Sequence, residues 1–426
     1  MNKAQTYDPY EGNLLISGLG PIRSRQQILT SLIELPRRPP ADIGEIPMHI
    51  RLHLLMDVRD MHIPSQEGAC MFETMDLMIR KNYQHIDPNQ ASTWGNRTGE
   101  TLSAGRVVKP AYGAAGEGHS GTGKTEAVHR GLALYPAQVI HHKSFPKMTD
   151  GHVQVVWQSI NVPPSGKAVD LASNLMEAWQ HTTGSDRFAA NLTKVRPDGA
   201  QMLREWRQVA SAHFLGLLHL DEVQNFFKIS TLEQRRKRSK SGVESPMAHE
   251  LSIVEDQCIK WILTSMNTWQ IPMLLTGTPD GINALTRRLS NTERIVTSGY
   301  HAFHPFYGED DPNFDNFISQ LGQYQFVKQR ITVDKALRSL IIELTAGIPR
   351  LIIALWIAAH RIAFERGTDD LLLTDFSTAA ETYLAPVAPA VAALRSGDMK
   401  CMQMYEDLAP RDGIFWSDFW NKVSRK

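Results

Sequence analysis

The stretch GEGHSGTGKT, residues 116 to 125, gathers residue types and a spacing that could do chemistry. It reads in two registers. Gly116, Gly118 and Gly121 spell G-x-G-x-x-G, the dinucleotide fingerprint. Gly118, Gly123, Lys124 and Thr125 spell G-x-x-x-x-G-K-T, the phosphate-binding P-loop. A dinucleotide site needs an acidic residue about 20 positions further on to hold a ribose. Here that region is VIHHKSFPKM, which offers His141, His142 and Lys143 and no carboxylate before Asp150. A P-loop needs a lysine for the β- and γ-phosphates, a hydroxyl for Mg2+, and backbone amides turned inward at a helix N-terminus. Lys124, Thr125 and the run Gly118, His119, Ser120, Gly121, Thr122, Gly123 supply these. The expected cofactors are therefore ATP and Mg2+.

A P-loop also needs an acidic site at the end of another buried strand. GLLHLDE, residues 216 to 222, is an apolar run ending in Asp221 and Glu222. Asp221 is placed to complete the Mg2+ shell, and Glu222 to orient the attacking water. His219 is unusual inside such a strand; we expect a buried, neutral, hydrogen-bonded ring and not a catalytic one. A third run, IPMLLTGT, ends in Thr276 and Thr278. Thr276 either senses the γ-phosphate and water between the acidic groups or caps a turn. Tyr112, ahead of the loop, either flanks the adenine or sits in the core.

These residues need a sheet to converge on. Short apolar runs at 137–141, 153–157, 214–220 and 271–276 alternate with helical stretches between 105 and 306, a pattern that predicts a parallel sheet covered by helices. Upstream, 48–60 and 67–84 read as helices; downstream, 332–345, 348–365 and 374–383 do. We expect a mixed, helical N-terminal extension over 1–100, an α/β core over 101–306, a small helical lid over 307–385, and a tail over 386–426. The extension and the tail are expected to bind partners. The chain has 426 residues, 42% hydrophobic and 21% charged, with zero formal net charge. Any nucleic-acid contact must then come from a local patch. Its three cysteines form no CxxC pair, which points to neither a disulfide framework nor a zinc site. No apolar run approaches the roughly 18 to 20 residues of a spanning helix, and the polar start lacks a signal peptide's apolar stretch. A cytoplasmic protein with no membrane partner is expected.

P-loop, apolar-Asp-Glu, a threonine-ended strand and then a helical region is the order seen in AAA+ ATPases, which this chain resembles. The resemblance implies a P-loop AAA+ module with a parallel five-stranded sheet flanked by helices. It implies that Arg350, in Gly347-Ile-Pro-Arg350, touches the γ-phosphate in cis. It also implies an arginine finger reaching a neighbour's ATP, for which Arg294, before the expected fifth strand HAFHPF, is favoured over Arg287 and Arg288. Within AAA+, the chain is most similar to transposition regulators of Tn7-like elements, the TnsC/TniB family. Gly12, Asn13, Leu15, Ile16, Leu19, Pro21 and Ile22 of EGNLLISGLGPI fit that family's start, while Leu14, Ser17, Gly18 and Gly20 depart from it. Arg51, Pro64, Tyr83 and Asp87-Pro88 resemble its next stretch, LDEVQ (220–224) its acidic motif, and LLTGTPDG (274–281) its "GTP" turn. The likeness covers about residues 10 to 365.

That resemblance implies an ATP-dependent switch. Such proteins assemble as rings or filaments on double-stranded DNA, link a target-selector protein (TnsD/TniQ-like) to transposase subunits, and part on hydrolysis. Nothing resembles a base-reading motif, so backbone contacts are expected. Lys143, Lys147 and Lys167 are candidates for them, each also readable as an ordinary surface lysine. The basic run Arg235–Lys240 reads as a solvated loop or as a phosphate- or partner-binding insert. Trp416, Phe419 and Trp420 either anchor a partner or dock on the chain's own core. A different AAA+ machine, initiator- or loader-like, and a P-loop signalling switch without DNA are the alternatives.

Overall fold

A computed structural model describes residues 7–98, 111–228, 252–253, 256–288 and 296–396. The chain divides into two compact units: Met1–Ile28, Glu67–Glu117 and Thr125–Ala302 in the first, Leu29–Gln66, Gly118–Lys124 and Phe303–Lys426 in the second.

The first unit is built on a five-stranded sheet. Its strands are β1 (Gly113–Gly118), β4 (Trp157–Asn161), β5 (Leu217–Asp221), β8 (Met273–Gly277) and β9 (Gly299–Phe303). Their order is β4-β5-β8-β1-β9. The pairs β4–β5, β5–β8 and β8–β1 are all parallel. The runs β5 and β8 are buried at every position, as central strands covered on both faces must be. Helices Ala168–Thr183 and Gly199–Ala212 supply Leu171, Leu175, Trp179, Met202 and Trp206 to the core against them.

Two expectations are corrected in this sheet. The run 137–141 is not one of its strands. β2 (Val139–His142) pairs antiparallel with β3 (His152–Val155) as a separate hairpin, and its positions are only half-buried or exposed. The run 153–157 is divided between β3 and the start of β4. The edge strand itself is the polar WQSIN, tolerable because Gln158 donates to Leu175 O at 2.8 Å and Ser159 bonds a histidine. A third, two-stranded sheet pairs β6 (Phe227–Lys228) with β7 (Ser252–Ile253).

The described part of residues 1–100 is shared between the units. In the first unit, Asn13 Nδ2 donates to Tyr83 O at 3.1 Å, and Gln154 Nε2 donates to Leu15 O at 2.9 Å. Tyr83 Oη donates to Phe214 O at 2.7 Å. Leu15, Ile16 and Leu19 are buried. The helix Gln66–Gln84 lies so close that a Cβ on Gly116 would stand 2.6 Å from Met71 Cε, and one on Gly131 2.7 Å from Met75 Cε. Gly116 is thus a packing glycine inside β1.

The second unit has its own core, with Phe314, Leu355, Trp356 and Phe376 at its centre. Its helices start where the sequence places caps. Asp311 caps Pro312–Leu321 with proline at the first turn, and Asp334 Oδ1 accepts from Leu337 N at 2.9 Å ahead of Lys335–Thr345. Pro349 opens Pro349–Arg366, which ends at Gly367 with φ 79°. Arg51, on helix Met48–Met56, is buried here. Its guanidinium donates to Asp369 at 2.6 and 3.0 Å and to the carbonyls of Gly44, Ile46 and Phe326. Among the described residues no single helix is long and apolar enough to cross a membrane.

Candidate nucleotide site

β1 ends at Gly118 and the helix Lys124–Ala133 begins at Lys124. The five residues between them turn through two left-handed positions, Gly121 at φ 86° and Gly123 at φ 96°. A Cβ at Gly123 would meet no atom within 4 Å, so there the backbone conformation alone demands glycine. Lys124 Nζ donates to Gly118 O at 2.7 Å and to His119 O at 3.2 Å, and Thr122 Oγ1 to His119 O at 2.9 Å. The lysine thus braces the loop carbonyls. In the same unit, Arg350 N donates to Gly121 O at 3.4 Å, and a Cβ on Gly121 would lie 3.2 Å from Arg350 Cβ. Arg350, an exposed residue on the first turn of its helix, therefore opens beside the loop.

In the first unit, three donors converge on Asp221, which is 1% exposed. Thr125 Oγ1 donates to Oδ2 at 2.5 Å, Thr276 Oγ1 to Oδ1 at 2.5 Å, and Glu222 N to Oδ1 at 2.9 Å. Burial pushes this carboxyl up, but the hydrogen bonds from Thr125, Thr276 and Glu222 hold the group below its usual range. The His219 ring is pushed down to about 4 by burial, so it is neutral at pH 7 and the hydrogen bonds keep Asp221 ionised. The ring bonds Ser159 Oγ and Thr276 Oγ1, each at 2.8 Å, as expected of a buried neutral histidine.

Glu222, next along, is exposed and left-handed, at φ 59° and ψ 41°. A non-glycine residue there costs about 1 to 2 kcal/mol. Glu222 directly follows the carboxyl end of β5, the end of an open α/β sheet where ligands bind. Its Oε2 accepts from Gln224 Nε2. Gln224 Oε1 in turn accepts from Thr278 N at 3.1 Å, and a Cβ on Gly281 would come within 2.6 Å of Gln224 Cβ. The LDEVQ and GTPDG motifs are therefore two halves of one contact. Sequence reading placed Gln224 in a motif without a task, and it missed Ser159 altogether; only strand register reveals that Ser159 faces His219.

The remaining candidates are scattered. Tyr112 is half-buried, and its carbonyl accepts from Met273 N at 3.1 Å. Lys143 and Lys147 are exposed on the β2–β3 hairpin turn, whereas Lys167 is exposed just after β4, as the N-cap of Ala168–Thr183. The extended run His152–Asn161 separates the two places, a span on the order of 30 Å. They do not form one patch, and Lys167 is at the end of the sheet that carries Asp221. Arg294, the basic run Arg235–Lys240 and Trp416, Phe419 and Trp420 lie outside the described residues. Arg287 and Arg288 end the helix Pro279–Arg288, and their side chains also lie outside the description.

One ionised carboxylate beside one hydroxyl is a hard-oxygen pair suited to Mg2+, which takes few protein ligands and completes its shell with phosphates and water. Thr125 and Asp221 would hold it, and no group of three or more His, Cys, Asp or Glu among the described residues forms a competing metal cage.

Residues 117–285 match the family described as AAA domain. No curated protein matches the chain. Among solved structures it is similar to the Aeropyrum pernix ORC2 protein in ADPNP–ADP complexes, at 13% identity and TM-score 0.37, over 82% of this chain and 89% of that one. A Drosophila ORC bound to DNA gives 13% identity and TM-score 0.37, over 82% and 84% of the two chains. The Thermotoga maritima RuvB Holliday junction branch migration motor gives 14% identity and TM-score 0.33, over 68% and 65%. The sheet, loop and helical C-terminal region together make a P-loop AAA+ fold with a nucleotide-binding AAA domain.

Proposed function

We propose that this AAA domain hydrolyses ATP and that the nucleotide works as a switch for assembly on double-stranded DNA. The observation that carries the hydrolytic half is the convergence of Thr125 and Thr276 on a buried, ionised Asp221, with Glu222 turned out beside it. Lys124 binds the β- and γ-phosphates, Thr125 and Asp221 hold Mg2+, and Glu222 orients the attacking water. Thr276 donates to Asp221 and holds its carboxylate in place. Arg350 acts in cis, and Arg294, with Arg287 and Arg288 as rivals, acts on the neighbour's nucleotide. Bound Mg2+ neutralises phosphate charge; the chain's own groups hold the phosphates and take up the water's proton.

The DNA half rests on the likeness to transposition regulators. Its residues Asn13, Leu15, Ile16 and Leu19 are integral to the first unit, and its LDEVQ and GTPDG motifs meet at Gln224. On this reading the protein forms rings or filaments on duplex DNA, links a target selector to a transposase, and leaves when it hydrolyses ATP. Lys167, at the nucleotide end of the sheet, contributes to backbone contacts. The test is to mix full-length protein and duplex DNA with ATP, a slowly hydrolysed analogue, or ADP. Assemblies are expected with the first two and few with ADP. The same behaviour with all three nucleotides would refute the DNA half, and loading of a helicase by the protein would favour the initiator- or loader-like alternative.

A further inference from the structure

Three strands carry a row of polar groups, of which the proposed roles leave Ser159 and His219 without a task. Ser159 on β4 is the register partner of His219 on β5. The His219 ring is fully buried, with Nδ1 2.8 Å from Ser159 Oγ and Nε2 2.8 Å from Thr276 Oγ1 on β8. Beyond Ser159, His129 Nε2 lies 3.4 Å from the same hydroxyl at the exposed end of the row.

The proton positions in this row follow from counting. Thr276 Oγ1 donates to Asp221 Oδ1 at 2.5 Å. A hydroxyl has one proton, and an ionised carboxylate only accepts. The Thr276 proton is thus committed to Asp221, and Thr276 can only accept from His219. Nε2 must therefore carry the ring proton, and Nδ1 must accept from the Ser159 hydroxyl. The alternative tautomer would set a bare nitrogen against a lone pair in a fully buried place, at the cost of an unsatisfied polar group. The strand positions before Asp221 other than His219 are Leu217, Leu218 and Leu220, all aliphatic, so packing alone gives no reason for an imidazole here.

We propose that His219 is a positioning residue of the ATPase site: its Nε2–H, aimed by Ser159, occupies one lone pair of Thr276 and commits that hydroxyl's single proton to Asp221. This rests on the ATPase reading given above. Without the ring N–H the Thr276 hydroxyl can rotate away, and Asp221 loses a donor that fixes its carboxylate while the loop that binds the nucleotide is untouched.

Side-chain replacements separate this role from packing. His219→Gln puts an amide N–H where ring Nε2 lies. His219→Asn reaches only the Ser159 side, and His219→Leu reaches neither. In the full chain we expect His219→Gln to keep kcat within about threefold of the wild type and the other two to lose about tenfold or more, with ADP affinity unchanged within about twofold in all. Nitrogen NMR of histidine-labelled, nucleotide-free protein should find His219 protonated at Nε2 and bare at Nδ1. The inference is overturned if His219→Leu turns over at the wild-type rate, if Gln is no better than Asn, if kcat losses are matched by losses in ADP binding, or if Nδ1 carries the proton. Should His219→Leu fail to fold, the Gln–Asn comparison and the NMR still decide. A wild-type protein that turns over no ATP would overturn the ATPase reading and this inference with it; turnover with the opposite tautomer would overturn this inference alone.

Discussion

At the scale of single residues, the site is a set of side chains whose hydrogen-bond capacity is spent in a defined direction. Lys124 is held against loop carbonyls, where a phosphate would exchange those contacts for charge-assisted ones. Lys124→Ala should weaken ATP binding by about 100-fold or more, measured by calorimetry with the folded variant. Glu222 occupies a left-handed backbone position that costs stability. Glu222→Gly should leave thermal stability unchanged or raise it by up to about 1 kcal/mol, while ATP turnover falls by about 100-fold or more. A Glu222→Gly variant that is both active and less stable would contradict that assignment. Lys124, Thr125, Asp221, Glu222 and Thr276 were legible because each follows an apolar run or a glycine loop directly in sequence. Gln224, Ser159 and the Thr276–Asp221 bond were not, since they depend on which strands lie side by side.

At the scale of elements, the sheet owes its order to apolar runs and its edges to compensated polar ones. β5 and β8 were legible as apolar runs, broken in β5 only by His219 before the closing Asp221. β2 belongs to another short apolar run and is a hairpin strand, because a run of four or five residues does not reveal its partner. β4 was half-missed, because the run of apolar residues ends at Trp157 and the polar Gln158 and Ser159 that continue the strand bond to a helix carbonyl and a histidine. The turn after β8 closes on Gln224, so Gly281→Ala should force the segment behind Glu222 to shift, reducing kcat more than ATP affinity in steady-state assays. In the second unit, Arg51→Met would strand Asp369 without its bidentate partner and leave three carbonyls without a donor. The expected cost is about 3 to 5 kcal/mol, read from the denaturation midpoint. Arg51 was noticed in sequence only through a family likeness; the structure supplies the reason for it.

At the scale of the whole molecule, each unit contains a buried histidine that is pushed down to about 4 by burial: His219 in the first and His360 in the second. In the unfolded chain both return to about 6.5, so the unfolded state binds more protons between those values. Their contribution is complete above about pH 6.5 and is lost as pH falls toward 4, up to about 3 kcal/mol each. Melting temperature should therefore drop steeply over that window, and a flat profile would contradict the burial of both rings. The N-terminal hundred residues were read as an extension and are divided between the units, since Asn13, Tyr83 and Arg51 find partners far away in sequence that no local pattern records. On the proposed reading, ATP holds copies together on DNA, and Glu222 sets how long. The most direct measurement follows the mass of protein on a fixed-length duplex over time after ATP is added, for the wild type and Glu222→Gln. The account predicts wild-type assemblies that form and then decay as ATP is consumed, and Glu222→Gln assemblies that form and persist. Equal lifetimes for the two proteins, or no assembly on DNA with either, would contradict it.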